Sequence, residues 1–520
     1  MKASDSLTYN TIILTTAGLI NRILGFGFRI IIVRLLGPEI VGLYEQVFSA
    51  FTVVLVLSTA GLPTGIAKIV AQETALGHSR RAWHSFLVAT VLVSVSSLLL
   101  TVPCIMFNRL LTQVFADSRV SLALLIACIA VPVVAASSCV RALFQGLNNM
   151  IVPVLAQISE QVLRIIVSLY LALQLGVLGP SLAAAGLAIG LLIGEASGLV
   201  LMLLLGHGEI AKLYRTAKPT LNSSSHGVVG QLLSFAAPVG LVKIIASILL
   251  LAQSIIIPWR LQACGLSGAE SIQLFGQLSG AALVLINLPS VLTFAMSTAL
   301  LSGISKTAAS GRSTLLRARI TEAVRLTMII GLPVAAFLFF AADPLCDVVF
   351  RLPQAGTLLQ LLAPAAPFFY LEHVTGAILE GLGAVRPVLA NRLAGYGITL
   401  IGLYTLTSLP GLGIHGSAVS ISMGWLVIAL LDLTILHQMD HAPNWHLLAI
   451  KPLIATFGTA TAIYAARQLL SPATVDLFLF LAITSVAAIT IYCGILVLLG
   501  ELTWDDLRRI PGLNHLPIPR

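Results

Sequence analysis

The sequence predicts an all-α polytopic membrane protein of about 14 transmembrane helices, built as two parallel six-helix lobes related by a pseudo-twofold axis along the membrane normal, plus two C-terminal helices. Three observations predict this. Only 9% of the 520 residues are charged and 58% are hydrophobic, whereas a water-facing protein carries roughly 25% charged residues. Apolar runs of roughly 20–25 residues, long enough to cross a bilayer as helices, recur from end to end. Two halves of the chain also repeat one another at an offset of about 235 residues.

The spans centre near residues 22, 54, 96, 132, 163, 193, 244, 288, 330, 370, 398, 425, 459 and 487. The first run is too long, and flanked wrongly, for a cleavable signal peptide, so the first helix is expected to act as its own insertion signal. With the N-terminus inside, 18 of the 29 Lys and Arg fall in cytoplasmic segments, six in the opposite loops (Arg34, Arg109, Arg119, Arg260, Arg351, Arg467) and five within spans. This threefold bias predicts an even number of helices and two cytoplasmic termini in a multi-pass bacterial cell membrane protein. The formal net charge of +9 is then an orientation signal, and no nucleic-acid partner is implied.

The repeat is clearest where FQGLNNMIVPVLA (144–156) matches LEGLGAVRPVLA (379–390). Weaker echoes join LYEQVFSAFTVVL (43–55) to LFGQLSGAALVLI (274–286) and ETALGHSR (73–80) to KTAASGRS (306–313). Six helices, an even number, separate the copies, so both enter from the same side and the halves are parallel. The domain reading is an N-terminal lobe at 1–206, a cytoplasmic linker at 207–228, a C-terminal lobe at 229–437, and two extra helices with a tail at 438–520. The linker, HGEIAKLYRTAKPTLNSSSHG (207–227), is polar and basic with a Ser run, as a connector should be.

Charges inside spans point to function. Burying a guanidinium in hydrocarbon costs about 2.5–3.5 kcal/mol on insertion scales, yet NRILGFGFR (21–29) carries Arg22 and Arg29. Seven residues apart, they stand on one helix face about 10 Å from each other. Gly25 lies between them, leaving a groove that a bulky anion could enter, and arginine's planar fork suits phosphate. Lys243 lies in the repeat mate of the first helix; aligning RIIIVRL (29–35) with SIIIPWRL (254–261) sets it about a turn from the place of Arg22. A structural reading stands beside the functional one: Glu45 neutralises Arg29, Arg22 bonds to carbonyls, and Arg34 snorkels to the interface.

The membrane carboxylates divide in the same way. Glu160 and Arg164, spaced i, i+4, read as a structural pair, and Glu322 with Arg325 has the same reading. Glu195, Glu372 beside His373, Glu380 and Asp432 have no such partner in sequence; Glu195, Glu372 and Asp432 are the candidates for ion or proton coupling. Prolines within spans (Pro132, Pro238, Pro289, Pro333, Pro364, Pro367) suit helices that bend but also occur in static bundles. The six cysteines form neither a CxxC nor a Cys/His cluster, so no disulfide framework and no metal site is expected. No loop is long enough for an enzyme fold, and no Walker-type glycine loop or HExxH is present. No catalytic residue is expected, and no nucleophile with a nearby base is visible.

Three blocks carry a family resemblance: NRILGFGFRIIIVRLLGPEIVGLYEQVFSAF (21–51), STAGLPTGIAKIVAQETALG (58–77) and RALFQGLNNMIVPVLAQISEQVLRI (141–165). With them the chain resembles the polysaccharide-exporter branch of the multidrug/oligosaccharidyl-lipid/polysaccharide superfamily over essentially its whole length. The second half is looser, and LEGLG (379–383) departs from the LQGLG usual there, which leaves Glu380 without precedent. The resemblance implies a V-shaped pair of six-helix lobes working as a flippase for undecaprenyl-pyrophosphate-linked saccharides, including the peptidoglycan precursor lipid II. RILGFGFR (22–29) fits the RxxGFxR-like block of lipid II flippases, so Arg22 and Arg29 inherit a headgroup role, and Lys243 does so more weakly. Spore cortex synthesis in an endospore-forming bacterium, with cell-wall synthesis proteins as partners, is also implied. No cofactor is expected beyond a coupling cation, a proton or the membrane potential. Two rivals stand: a drug/cation antiporter of the same superfamily, which would need an acidic cavity, and a non-transporting scaffold for cell-wall synthases.

Overall fold

The computed structural model describes residues 3–216, 225–291, 293, 303–305, 307–308, 310, 312–439, 445–469 and 477–501. Part of the predicted linker and the C-terminal tail lie outside the described residues, as does Lys306, which opens one of the repeat echoes. Among the described residues every regular element is helical. In chain order these are α1 (Ala3–Thr59), α2 (Leu62–Ala75), α3 (Ser79–Met106), α4 (Asn108–Thr112), α5 (Ser121–Gly146), α6 (Ile151–Gly176), α7 (Pro180–Thr216), α8 (Ser225–Ala263), α9 (Gly268–Gln277) and α10 (Leu283–Asn287). They continue with α11 (Ser313–Phe340), α12 (Ala342–Phe350), α13 (Gly356–Leu362), α14 (Ala366–Gly381), α15 (Val385–Leu406), α16 (Ile414–Gln438), α17 (Trp445–Leu469) and α18 (Leu477–Leu498).

Ten of these helical stretches are long and apolar enough to cross a membrane, among the described residues, so the chain is a multi-pass, all-α membrane protein. One of them, Thr16–Thr59, has 44 residues, about 66 Å of helix against a hydrocarbon core of about 30 Å. It does not run straight. Gly37 has φ 81° and ψ 167°, with Pro38 next to it; only glycine adopts that backbone cheaply, and proline cannot donate a continuing hydrogen bond. The single long run is thus two spans joined at a sharp break, as the two centres near 22 and 54 anticipate.

By packing, the chain divides into unit 1 (residues 1–280 and 403–414) and unit 2 (281–402 and 415–520). The cores of unit 1 join α1, α5 and α7 through residues such as Leu43, Val47, Leu124, Ala184 and Leu191, and α2, α3, α5 and α8 through Ile66, Val70, Ala89, Leu143 and Leu232. α8 approaches α2 closely because Gly65 faces the Leu232 carbonyl, where an added Cβ would sit 3.2 Å from the oxygen. α9 opens on a capping box: the Ser267 hydroxyl accepts from the Glu270 amide while the Glu270 carboxylate accepts from the Ser267 amide, satisfying two end donors at once. In unit 2 the main core gathers Ile320, Val324, Leu371, Ile378, Val388, Ala429 and Leu436 from α11, α14, α15 and α16. A smaller cluster joins Ala455 and Tyr492 of the last two helices.

Candidate functional site

The break at Gly37 determines where the first cation goes. Arg29 and Glu45 lie equally far from Gly37 along the chain, so folding back at that residue brings them face to face, and they form an ion pair. Their side chains are 24% and 12% exposed, so the pair is mostly withdrawn from the surface. Gly25, one turn away on the same face, leaves its open side toward α6, where an added Cβ would lie 3.9 Å from the Gln161 amide nitrogen. Arg22, a further turn toward the N-terminus, is half-buried. The structural pairing of Arg29 with Glu45 is therefore present, and Gly25 on the same helix face lies against α6.

A second set of charges lies between α5, α6 and α7. Glu160 accepts from Arg141 at 2.9 Å and from Arg164 at 3.1 Å, and Arg164 also reaches Glu195 at 2.6 Å. The i, i+4 contact of Glu160 with Arg164 is present. Glu195, partnerless by sequence spacing, is held by Arg164 from another helix. Arg141, near the C-terminal end of α5, belongs to this chain of pairs. Tyr44, buried next to Glu45, is within electrostatic reach of Arg29, Arg164 and Glu195, so both sets of pairs belong to one polar interior of unit 1.

The packing that makes these contacts is a stripe of glycines. Gly186, Gly190, Gly194 and Gly198 recur every fourth residue on α7 and face Ala172, Ser168, Arg164 and Glu160 of α6, which recur every fourth residue in the opposite direction. A Cβ on Gly194 would lie 2.8 Å from Arg164 Cβ, and one on Gly190 would lie 2.5 Å from the Ser168 amide nitrogen. Small residues let membrane helices approach backbone to backbone. The stripe is legible in AGLAIGLLIGEASG (185–198), where glycine recurs every fourth residue.

Lys243 is exposed on α8, in the same unit as Arg22 and Arg29, and makes no ion pair among the described residues. It sits one turn past Gly240, which packs against the Ala60 carbonyl. A cavity of about 140 Å³ elsewhere in unit 1 is lined by apolar groups and thiols, including Val53, Val114, Leu251, Cys104 and Cys128; none of these cations lines it.

Unit 2 brings together two of the three coupling candidates. Asp432, 1% exposed, accepts from Asn391 at 2.8 Å and lies 3.0 Å from the Thr375 hydroxyl. Glu372 is 6% exposed, and its carboxylate makes no hydrogen bond and no ion pair among the described residues. Arg392 stands nearby, 3.9 Å from Glu380 and close against Gly376, and both it and Asp432 act electrostatically on Glu372. These partners come from α14, α15 and α16, distances along the chain that no helical spacing reveals. His373 is turned to its own helix, with Nδ1 2.9 Å from the Phe369 carbonyl.

Comparison with known proteins identifies the family. Residues 7–308 match the model of the polysaccharide biosynthesis protein family, and residues 278–405 match the MatE family model. The chain is thus a helical transporter fold, and it belongs to the polysaccharide biosynthesis protein family. Stage V sporulation protein B of Bacillus subtilis (strain 168) is 28% identical over 99% of this chain and all of its own length. The lipid II flippase MurJ of the same organism is 26% identical over 76% of this chain and 77% of its own. Among solved structures, an inward-closed lipid II flippase MurJ superposes with TM-score 0.69 at 16% identity, covering 96% of this chain and all of that one. An inward-facing multidrug resistance MATE family transporter of the MOP superfamily gives TM-score 0.67 at 17% identity, covering 81% and 94%. These last two likenesses identify the fold.

Proposed function

We propose that this protein is a flippase that moves an undecaprenyl-pyrophosphate-linked saccharide, with lipid II as the substrate and spore cortex synthesis as its setting, from the inner to the outer leaflet by alternating access. The observation that carries the reading is the arginine-bearing first helix in a chain similar along nearly its full length to a sporulation protein and sharing its fold with a lipid II flippase. Arg22, Gly25 and Arg29 form the headgroup site, with Lys243 as a further cation. Glu45 is the resident counter-ion of Arg29, and an arriving pyrophosphate takes its place. A carboxylate that already neutralises the arginine lets a costly charge stay in the membrane between cycles; a bidentate phosphate contact then replaces one charge-assisted pair with another.

Both termini are cytoplasmic in this reading, and the two six-helix lobes of residues 1–206 and 229–437, joined through 207–228, rock about the site. The polyprenyl tail stays in lipid while the head crosses. An interior-negative potential favours outward movement of negative charge by about 2.3 kcal/mol per charge per 100 mV, so a pyrophosphate with two charges gains about 4–5 kcal/mol. Release is coupled to a cation or proton at Glu372 and Asp432. Glu195, engaged with Arg164, joins them only if that ion pair opens.

The MatE match at 278–405 favours a second reading, a drug/cation antiporter. It would place a cationic substrate against the carboxylates of unit 2 and leave Arg22 and Arg29 dispensable. A scaffold for cell-wall synthases likewise makes those arginines dispensable and puts the weight on cytoplasmic segments. Transport of lipid II and of a cationic dye by the purified protein, wild type against Arg22→Ala and Arg29→Ala, separates the three: only the flippase reading predicts lipid II transfer that both substitutions abolish.

A further inference from the structure

Two thiols from different helices meet at the wall of the apolar cavity in unit 1. Cys104 of α3 and Cys128 of α5 both line it, with Val53, Leu111, Phe115 and Leu251 around them, and the two side chains lie within hydrogen-bonding contact of each other. The register that brings them together follows from Pro132, inside α5. Proline has no amide hydrogen, so the carbonyl four residues before it, that of Cys128, loses its helical donor. The Thr101 hydroxyl reaches this carbonyl at 3.4 Å, and Thr101 stands one turn before Cys104 on the same face of α3. α3 is thus docked on a turn of α5 that proline leaves one hydrogen bond short, and that contact sets Cys104 beside Cys128.

The two thiols are unequal. Cys128 is 1% exposed, whereas Cys104 is only partly buried. An accessible thiol next to a buried one is the arrangement of a redox-sensing cysteine with its resolving partner. The cavity, about 140 Å³, has room beside them for a molecule the size of a peroxide, since a single water needs only about 10–15 Å³ of such space. A four-coordinate metal is not served, because no group of three His, Cys, Asp or Glu side chains comes together among the described residues. The apolar lining favours an uncharged product, and a disulfide is one. We propose that Cys104 and Cys128 form a redox-modification site that closes reversibly to a disulfide linking α3 to α5, with a peroxide as the oxidant. The Cys104 thiolate takes one oxygen from hydrogen peroxide, becomes a sulfenic acid and releases hydroxide, which the proton lost from Cys104 turns into water. The Cys128 thiol then attacks that sulfur; the S–S bond forms and the sulfenic oxygen leaves as a second water. Two thiols and one peroxide thus give one disulfide and two waters. The link replaces a single hydroxyl contact with a covalent tie at the turn that Pro132 weakens, and it needs no transported substrate.

The test is differential thiol labelling of the full-length protein in detergent. The folded protein is treated with hydrogen peroxide and denatured in light N-ethylmaleimide to block the remaining free thiols. It is then reduced and labelled with the heavy reagent before digestion and mass spectrometry. Heavy label is expected to rise several-fold at Cys104 and Cys128 together, while Cys139 and Cys346, buried elsewhere, stay light. Cys104→Ser is expected to abolish heavy label at Cys128. Cys128→Ser is expected to leave Cys104 as a sulfenic acid that dimedone traps, an outcome that mere packing of two thiols would not give. Light label at both cysteines of the treated wild type, oxidation of Cys104 to the sulfonic acid without a link, or heavy label persisting at Cys128 in Cys104→Ser overturns the proposal. Should either serine variant fold poorly, the labelling pattern of the wild type decides alone.

Discussion

Arg29 and Glu45 state the residue-scale problem most sharply. Neither charge is tolerable alone inside the bilayer, and the fold supplies each to the other by turning the chain back at Gly37. Removing one partner should therefore cost more than removing both. Arg29→Ala and Glu45→Ala are each expected to lower the thermal stability of the detergent-solubilised protein, with the double variant recovering part of the loss and a coupling of about 0.5–3 kcal/mol. Additive losses would mean that the two residues do not support one another. Glu372 presents the opposite case. It is 6% exposed and has no hydrogen-bond or ion-pair partner among the described residues, so Glu372→Gln is expected to leave the melting temperature unchanged or higher, while transport loses its dependence on the coupling ion or on pH. A destabilised variant that keeps that dependence would make Glu372 a structural group.

At the scale of elements, the glycine stripe of α7 holds the ion pairs in place. Gly190→Ala would drive a methyl into the Ser168 backbone, and an overpacked contact of this kind costs about 1–3 kcal/mol. Gly208→Ala on the same helix is the control, since nothing lies within 4 Å of its added Cβ. A melting-temperature loss confined to Gly190→Ala is expected; equal effects from both would deny that the stripe sets the helix spacing. Gly37→Ala is strained for a different reason, its φ of 81°, and should destabilise by about 1–2 kcal/mol even though space for the methyl exists. Helices were the legible part of this protein. Long apolar runs announce spans whatever their neighbours, and Gly37-Pro38 announces the break. The partners of Glu195 and Asp432 were not legible, because Arg164 and Asn391 reach them across helix interfaces, and only contacts within one helix leave a fixed spacing in sequence. The Glu160–Arg164 spacing and the proposed meeting of Arg29 with Glu45 were readable because one is a single turn and the other a single fold-back.

For the whole molecule, family membership rests on the match at residues 7–308 and the fold on a likeness that covers 96% of the chain. The packing division at residue 280 differs in position from the linker at 207–228, and the six-helix lobes stay part of the proposal. The decisive measurement is protease- or label-accessibility of lipid II headgroups in proteoliposomes holding the wild type, Arg22→Ala or Arg29→Ala, with and without an imposed membrane potential. The account predicts protein-dependent headgroup transfer that the potential accelerates and that either substitution removes while the protein stays folded. Transfer unchanged by both substitutions, or no transfer above protein-free vesicles, would contradict it.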